Sequence, residues 1–322
     1  MIERRHLLRG AAALPFLPAA ARAQAQQQRY ASLNMFIPAG PGGGWDGLGR
    51  AIEQVARQTG MVGSMQFENV GGAGGVVGLP RFIQQRRGRP DALMVAGAVM
   101  VGSTLTNRSP VGMKDITPLA RMTDEVAVIV VPANSEYRDI RGLLDALKAN
   151  PGAVAVGGGS AGGVDHILLG QMLKALGRNA REASYVAFAG GGPAQAAILG
   201  GQVKAGISGL SEFSEQIKAG RMRALATSGA ARSEADIPTL KESGLDITSG
   251  NWRGVFGPPG LSADARQKHI EFLTALHAMP QWRELLQTRG WDDAFMAGDE
   301  FVTFIRRDEE ATGAVLRDIG LA

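Results

Sequence analysis

Four times along this chain an apolar run suited to a β-strand meets a glycine-rich turn and then a stretch with helical spacing. The first copy is LNMFI, PAGPGGG, WDGLGRAIEQVARQTG. The second is SMQFENV, GGAGG, VVGLPRFIQQ; the third is AVAVGGG, SAGG, VDHILLGQMLKALG; the fourth is ASYVAFA, GGG, PAQAAILGG. In the first copy Leu48, Ile52 and Val55 fall at helical spacing and Asp46 is a natural N-cap. In the fourth, Pro193 suits the first helical position. Strands alternating with helices specify an α/β fold with a largely parallel sheet. The copies share no residue-level repeat, so this is one local device used four times and not a solenoid. The 45 glycines in 322 residues serve tight turns, or backbone that a ligand must approach closely.

Further strands are expected at 92–97 (ALMVAG), 126–132, 204–208 and 223–229, and a short one in NWRGVFGPPG at 251–260. From Ala263 onward the pattern changes to successive helices. The length favours two domains of ordinary size.

The first 28 residues are set aside from the fold. Arg4, Arg5 and Arg9 precede the apolar run AAALPFLPAAA, and Ala21-Arg22-Ala23 supplies a small-residue cleavage site. That order predicts an export signal cleaved near Ala23, and the paired arginines followed by two leucines resemble a twin-arginine leader. The apolar run is too short and proline-broken to span a bilayer, so the mature protein is expected to be a soluble resident of the periplasm. The formal charge of +4 falls to about +1 once the leader's four arginines and single glutamate are removed. With no stripe of Lys and Arg interleaved with aromatics, nucleic acid is not an expected partner. The absence of cysteine excludes disulfides and thiolate metal sites. The four histidines, His6 in the leader among them, have no metal-ligand spacing.

A helix N-terminus exposes unpaired N–H groups and partial positive charge, and glycine lets an anion reach that backbone. Ligands of open α/β sheets sit beyond the carboxyl ends of the strands. Four such turns facing one another would hold a carboxylate with few cationic side chains: Arg50 is the cation near the first turn and Arg253 the candidate elsewhere. Two enzyme-like signatures compete. Gly42, Gly44 and Gly47 spell G-x-G-x-x-G, with Glu68 where a dinucleotide site wants its acid. Pro38 and Pro41 stiffen that turn, and export removes the chain from the nicotinamide pool. Residues 158–162 spell G-x-S-x-G, which makes Ser160 the nucleophile of an alternative reading as an exported serine hydrolase, with His269 and His277 downstream. Against it, those histidines lie in polar C-terminal helices, and the other three turns have no serine. His166 is either a cleft residue or a locally bonded structural histidine, Trp45 either a wall of the site or core, and the run RRDEEAT a solvated helix face.

Together the leader, PGGGWDGLGR, ENVGGAGGVVG, GGGSAGGVDH, YVAFAGGGPAQAAILGGQV, IPTLKESG and NWRGVFGPPG resemble the substrate-binding component of tripartite tricarboxylate transporters, the TctC-like or Bug family. The likeness runs in order from about residue 30 to the C-terminus, and GGGWD and NWRG look closest to the tricarboxylate-type branch. It implies a type II periplasmic-binding-protein fold, two α/β domains closing on a ligand cleft. On this chain the division implied is 29–130 and 250–322 for the first domain and 131–249 for the second. It implies a monomeric binding protein with no catalysis, no cofactor and no resident metal, handing a tricarboxylate or dicarboxylate such as citrate to integral-membrane permease subunits. The carboxylate would meet the backbone of Pro41, Gly42, Gly43, Gly44, Trp45 and Asp46, with Ala73, Gly74, Ala98 and Ser103 completing that wall. The second domain would contribute Ser160, Ala161, Gly162 and His166, and Phe188, Gly190, Gly191 and Gly192. Asn251 and Arg253 would add contacts where the chain crosses back. So few cations suit a fully ionised citrate only with help from Arg253 or a bound ion.

Overall fold

The computed structural model describes residues 29–322; the expected leader and its cleavage point lie outside the described residues. In chain order the first half runs β1 (Tyr30–Ile37), α1 (Gly44–Gln58), β2 (Val62–Asn69), α2 (Gly78–Arg86), β3 (Ala92–Gly97), α3 (Ala98–Thr106), β4 (Thr117–Asp124), β5 (Ala127–Pro132), α4 (Ile140–Ala149), β6 (Val156–Gly158) and α5 (Val164–Ala175). There follow β7 (Tyr185–Ala187), α6 (Gly191–Leu199), β8 (Ala205–Gly209), α7 (Leu210–Lys218), β9 (Met222–Thr227), β10 (Arg253–Gly257), α8 (Ala263–His277), α9 (Pro280–Arg289), β11 (Asp292–Ala297) and α10 (Gly298–Asp318).

The strands form two sheets, ordered β11-β4-β10-β3-β1-β2 and β7-β6-β8-β5-β9. All four strand–glycine–helix phrases are present, as β1–α1, β2–α2, β6–α5 and β7–α6. Burial explains the strand order. Every residue of β3 is buried, as a central strand covered on both faces requires, whereas edge strand β2 buries only Val62. In α1 the buried Leu48, Ala51, Ile52, Val55 and Ala56 form one stripe against the first sheet. Asp139 and Ser262 start α4 and α8 as side-chain caps, and α9 runs from Pro280 to a left-handed Gly290.

The expectation of a largely parallel sheet is corrected to two mixed sheets. β1–β2, β1–β3, β6–β7 and β6–β8 are parallel, but β10 is antiparallel to β3 and β4, and β5 to β8 and β9. Strands β4 and β11 carry too little apolar pattern to stand out: β4 contains Pro118 and Arg121, and β11 is an edge strand that begins with two aspartates.

The chain leaves the first sheet after Asp124 and enters the second at Ala127, so a division at 130/131 would cut β5 in two. It returns through Ser249–Asn251 to β10. The two crossings lie side by side. Val126 and Gly250 form an antiparallel bridge, and the Asn251 N–H donates to the Glu125 carbonyl at 2.9 Å. Ser228 Oγ accepts from the Ala127 N–H at 2.9 Å and donates to the Ser249 carbonyl at 2.6 Å. Two adjacent extended segments joining two lobes are a hinge geometry. Behind it the C-terminus reaches the second lobe: Ile319 sits against Gly170, Lys174 pairs with Asp318, and Arg181 Nε donates to the Gly320 carbonyl at 2.8 Å.

Across the front the lobes touch where α3 meets the loop before α5. A methyl group at Gly102 would overlap the carbonyl oxygen of Gly162, and Ser103 Oγ donates to the Ala161 carbonyl at 3.4 Å. That obstruction is backbone and cannot rotate away, so Gly102→Ala should hold the lobes apart. We expect it to melt within about 1 kcal/mol of wild type while small-angle scattering reports a larger radius of gyration. Superimposable scattering profiles would show that this contact does not set the lobe spacing.

Candidate ligand-binding site

One cavity between the lobes is lined by residues of all four glycine turns: Pro38, Ala39, Gly43, Gly44 and Trp45; Gly72 and Gly74; Gly159 and Ser160; and Ala189, Gly190 and Gly191. Val99, Asp165, Ser208, Glu212, Asn251 and Arg253 complete the wall. It offers about 70 Å³ of room for water centres, against about 10–15 Å³ for a single water, the scale of a small organic acid. Helices α1, α5 and α6 all start at this wall on a glycine N-cap, and no side chain caps them from that position. The first-turn N–H groups of such helices have no intrahelical partner.

The turns are shaped by what lies behind them. Gly44 must be glycine because a Cβ there would overlap the Arg253 guanidinium, and Gly74 because one would overlap Ser103 Oγ. Gly74 and Gly162 also have φ of +62° and +74°, which disfavours any side chain.

Arg253, 1% exposed, is the charge at the centre. Its Nη1 lies 2.5 Å from Glu125 Oε2 and its Nη2 3.4 Å from Glu212 Oε1. Burial alone would lower its pKa, but the Glu125 and Glu212 carboxylates outweigh burial and raise it. Glu125 also accepts the Ser211 N–H at 2.6 Å, bracing the start of α7. Ser211 Oγ in turn accepts from Trp291 Nε1 at 3.0 Å. Burial pushes Glu212 up to about 7; Arg253 pulls it down, Glu125 and Asp165 push it further up, and the Ser208 hydroxyl pulls it part of the way back. Burial likewise raises Asp165 to about 6, against the hydrogen bond its Oδ2 accepts from the Gly159 N–H at 2.8 Å. Among the described residues no group of three or more His, Asp or Glu is placed to hold a metal.

Of the residues the sequence nominated, Gly43, Gly44, Trp45, Gly74, Ser160, Gly190, Gly191, Asn251 and Arg253 lie on this wall. Pro41, Gly42 and Ala73 are exposed on the rim. Asp46 turns away: its carboxylate accepts from the Gly42 N–H and from Asn69 Nδ2, each at 3.1 Å, and so braces the first turn from outside. Ser103 and Ala161 meet each other, Ala98 donates its N–H to the Trp252 carbonyl, and Gly162 donates to His166 Nδ1 at 3.1 Å. His166 stacks on Tyr185 at 4.3 Å, and burial holds its pKa below the usual histidine value. It stands behind the loop as support. Phe188 packs among the second-lobe hydrophobics, and Gly192 is off the wall.

Sequence reasoning missed Pro38, Ala39, Gly72, Val99, Gly159 and Ala189, each a short step along the chain from a nominated residue. It also missed Asp165, Ser208 and Glu212. A signal for the last two exists: GISGLSEF, from β8 into α7, is a fifth strand–glycine–helix phrase.

Neither enzyme-like signature develops into a site. Ser160 is not among the non-glycine residues with positive φ that a strained nucleophile turn would produce. His166 accepts from Gly162, His269 bonds Tyr30 at 2.9 Å in the core, and His277 pairs with Asp293. Glu68, the acid of the dinucleotide pattern, is held by Arg81 and Arg86 at 2.5 and 2.6 Å.

The model of the family described as "Tripartite tricarboxylate transporter family receptor" matches residues 51–321. The chain is similar to the protein BugT of Bordetella pertussis, at 27% identity over 89% of each. Its fold is similar to that of the periplasmic binding protein BugD, with TM-score 0.82 at 21% identity over 90% of this chain and 98% of the other. It is also similar to that of MatC from Rhodopseudomonas palustris with bound malate, with TM-score 0.79 at 20% identity over 89% and 99%.

The buried acids make a testable electrostatic statement. Because Glu212 is raised from 4.5 to about 7, its ionised form weighs against folding above about pH 7, and that burden vanishes as the pH falls toward 4.5. Glu212→Gln keeps the shape and removes the titration. In urea denaturation the variant should gain on wild type by on the order of 2 kcal/mol at pH 8, shrinking toward zero near pH 5. Taking the difference cancels His269, which burial lowers to about 4 and which loses stability in the opposite sense below pH 6.5. An advantage flat with pH would contradict the assignment.

Proposed function

The chain belongs to the tripartite tricarboxylate transporter receptor family, and from that premise we propose that it is a periplasmic receptor for a small carboxylate, delivered to the permease subunits of a tripartite transporter. The observation that carries this reading is the convergence of four glycine turns, three of them opening into helices with no N-cap side chain, on one cavity between two hinged lobes. Unpaired N–H groups and helix dipoles favour an anion. The bound malate of MatC supports an organic acid of four carbons or thereabouts. The first lobe is 29–125 with 251–322 and the second 126–250, following the change of sheet. Ligand contacts fall to Gly43, Gly44, Trp45, Gly74, Ser160, Gly190, Gly191, Asn251 and Arg253 from the sequence, with Asp165, Ser208 and Glu212 added by the fold.

Nothing in this arrangement calls for a chemical step. Binding between the lobes stabilises the closed arrangement by the difference in affinity for open and closed forms. A permease that recognises the closed form then takes only loaded receptor. The export pattern of the first 28 residues supports the periplasmic location.

Thermal melts against malate, succinate, citrate, glutamate and terephthalate test the reading. A ligand at about 100 times its dissociation constant adds roughly 2.7 kcal/mol to stability, which a melt resolves as an upward shift of several degrees. Gly44→Ala, whose methyl group would overlap the Arg253 guanidinium, should bind the same ligand at least tenfold more weakly. A panel in which no carboxylate shifts the melt would count against the proposal.

A further inference from the structure

One stripe of α5 meets the first lobe along its whole length. A Cβ on Gly163, the N-cap, would stand 3.2 Å from Val99 Cγ1, and one on Gly102 would stand 3.1 Å from Ile167 Cδ1. Further along, Gly170 lies against Ile319 and Lys174 pairs with Asp318. Positions 163, 167, 170 and 174 are spaced by four, three and four residues, which is one face of a helix. Val99 and Gly102 belong to α3, and Asp318 and Ile319 to the end of α10. The same helix opens at the cavity, where the turn before it supplies Gly159 and Ser160. Whatever parts this seam therefore moves a wall of the cavity.

The two ends of the seam differ. Its far end is fastened by groups that hold each other in water: the exposed Lys174–Asp318 pair, and Arg181 Nε on the Gly320 carbonyl at 2.8 Å. Beside the cavity the fastening is poorer. Ser103 Oγ reaches the Ala161 carbonyl only at 3.4 Å, long for a hydroxyl donor. Thr106, the last residue of α3, packs on Gly162 so closely that a Cβ there would overlap Thr106 Oγ1. That oxygen is buried with no hydrogen-bond partner among the described residues, and the Gly162 N–H is already given to His166 Nδ1. A buried hydroxyl without a partner regains water once the two surfaces separate, so its burial weighs against contact.

We propose that Thr106 is an opening element: its hydroxyl biases the receptor toward parted lobes, with α5 pivoting about its fastened end at Ile319 and Asp318. Closure must then be supplied by an occupant of the cleft, and a receptor that has captured nothing does not present the closed form. The inference rests on the two-lobe geometry and is independent of which ligand the cleft takes.

The chain has no cysteine, so Gln84→Cys on α2 and Ala196→Cys on α6, exposed sites on opposite lobes, take spin labels at those positions alone. Dipolar distance distributions are recorded on protein refolded from denaturant by dialysis, which removes any cleft ligand, with circular dichroism confirming the fold. With Thr106 in place, long distances should dominate. Thr106→Val keeps the shape and deletes the hydroxyl, and should lower the ratio of long to short distances fivefold or more. Thr106→Ala also deletes the hydroxyl and takes its place should the valine variant not refold. Thr106→Ser keeps the hydroxyl and loses the methyl group, and should leave the long distances dominant. A valine variant that matches the parent or lies longer overturns the proposal. So does a parent already short, or a serine variant as short as the valine one, since packing and not the hydroxyl would then set the lobes.

Discussion

A single buried guanidinium ties together the parts on which this structure depends. Arg253 is the first residue of β10, where the chain returns to the first sheet, and Glu125 lies on the other crossing, just past β4. Their contact therefore joins the two hinge segments side by side. Through Glu212 the same guanidinium reaches α7 of the second lobe, and through Gly44 it fixes how close the first glycine turn can come. A buried ion pair is a weak source of stability, because desolvation offsets most of the attraction. Its value here is positional: it sets the spacing of a hinge, a helix start and a binding turn together.

That economy accounts for the glycine content of the walls. Where side chains would recognise an anion, a cluster of lysines or arginines would appear; here backbone N–H groups take that part, and glycine makes them reachable. The turns in turn need bracing from outside the cavity. Asp46 with Asn69 supports the first, and His166 on Tyr185, whose hydroxyl donates to the Gly159 carbonyl at 2.8 Å, supports the third.

How much of this was legible follows from the range of each signal. Strand, turn and helix are local, so β3 matched its expected bounds of 92–97 and all four phrases appeared where the periodicity put them. Nine wall residues were legible because they belong to those phrases or to the NWRG stretch. Asp46 and His166 were legible as polar residues near the turns, but sequence cannot say which way a side chain points, and both face away from the cavity. Glu125 and Glu212 are 87 residues apart in the chain, and neither belongs to a pattern that links it to the other; only the antiparallel return of β10 brings them to one guanidinium. Strand β11 was hidden because an antiparallel edge strand tolerates aspartates that a buried parallel strand would not, and β4, one strand further in, because Pro118 and Arg121 interrupt its apolar run.

The claim at the centre is that a carboxylate is held by the backbone of the glycine turns. The most direct measurement is a backbone amide NMR titration of the ¹⁵N-labelled protein with whichever small carboxylate stabilises it most. The account predicts the largest shifts at the amides of Gly43, Gly44 and Trp45, with Gly74, Gly159, Ser160, Gly190 and Gly191 following and the Arg253 side chain moving with them. Shifts confined elsewhere, such as around Arg86 and Glu68 on the far edge of the first sheet, with those glycines unmoved, would contradict it.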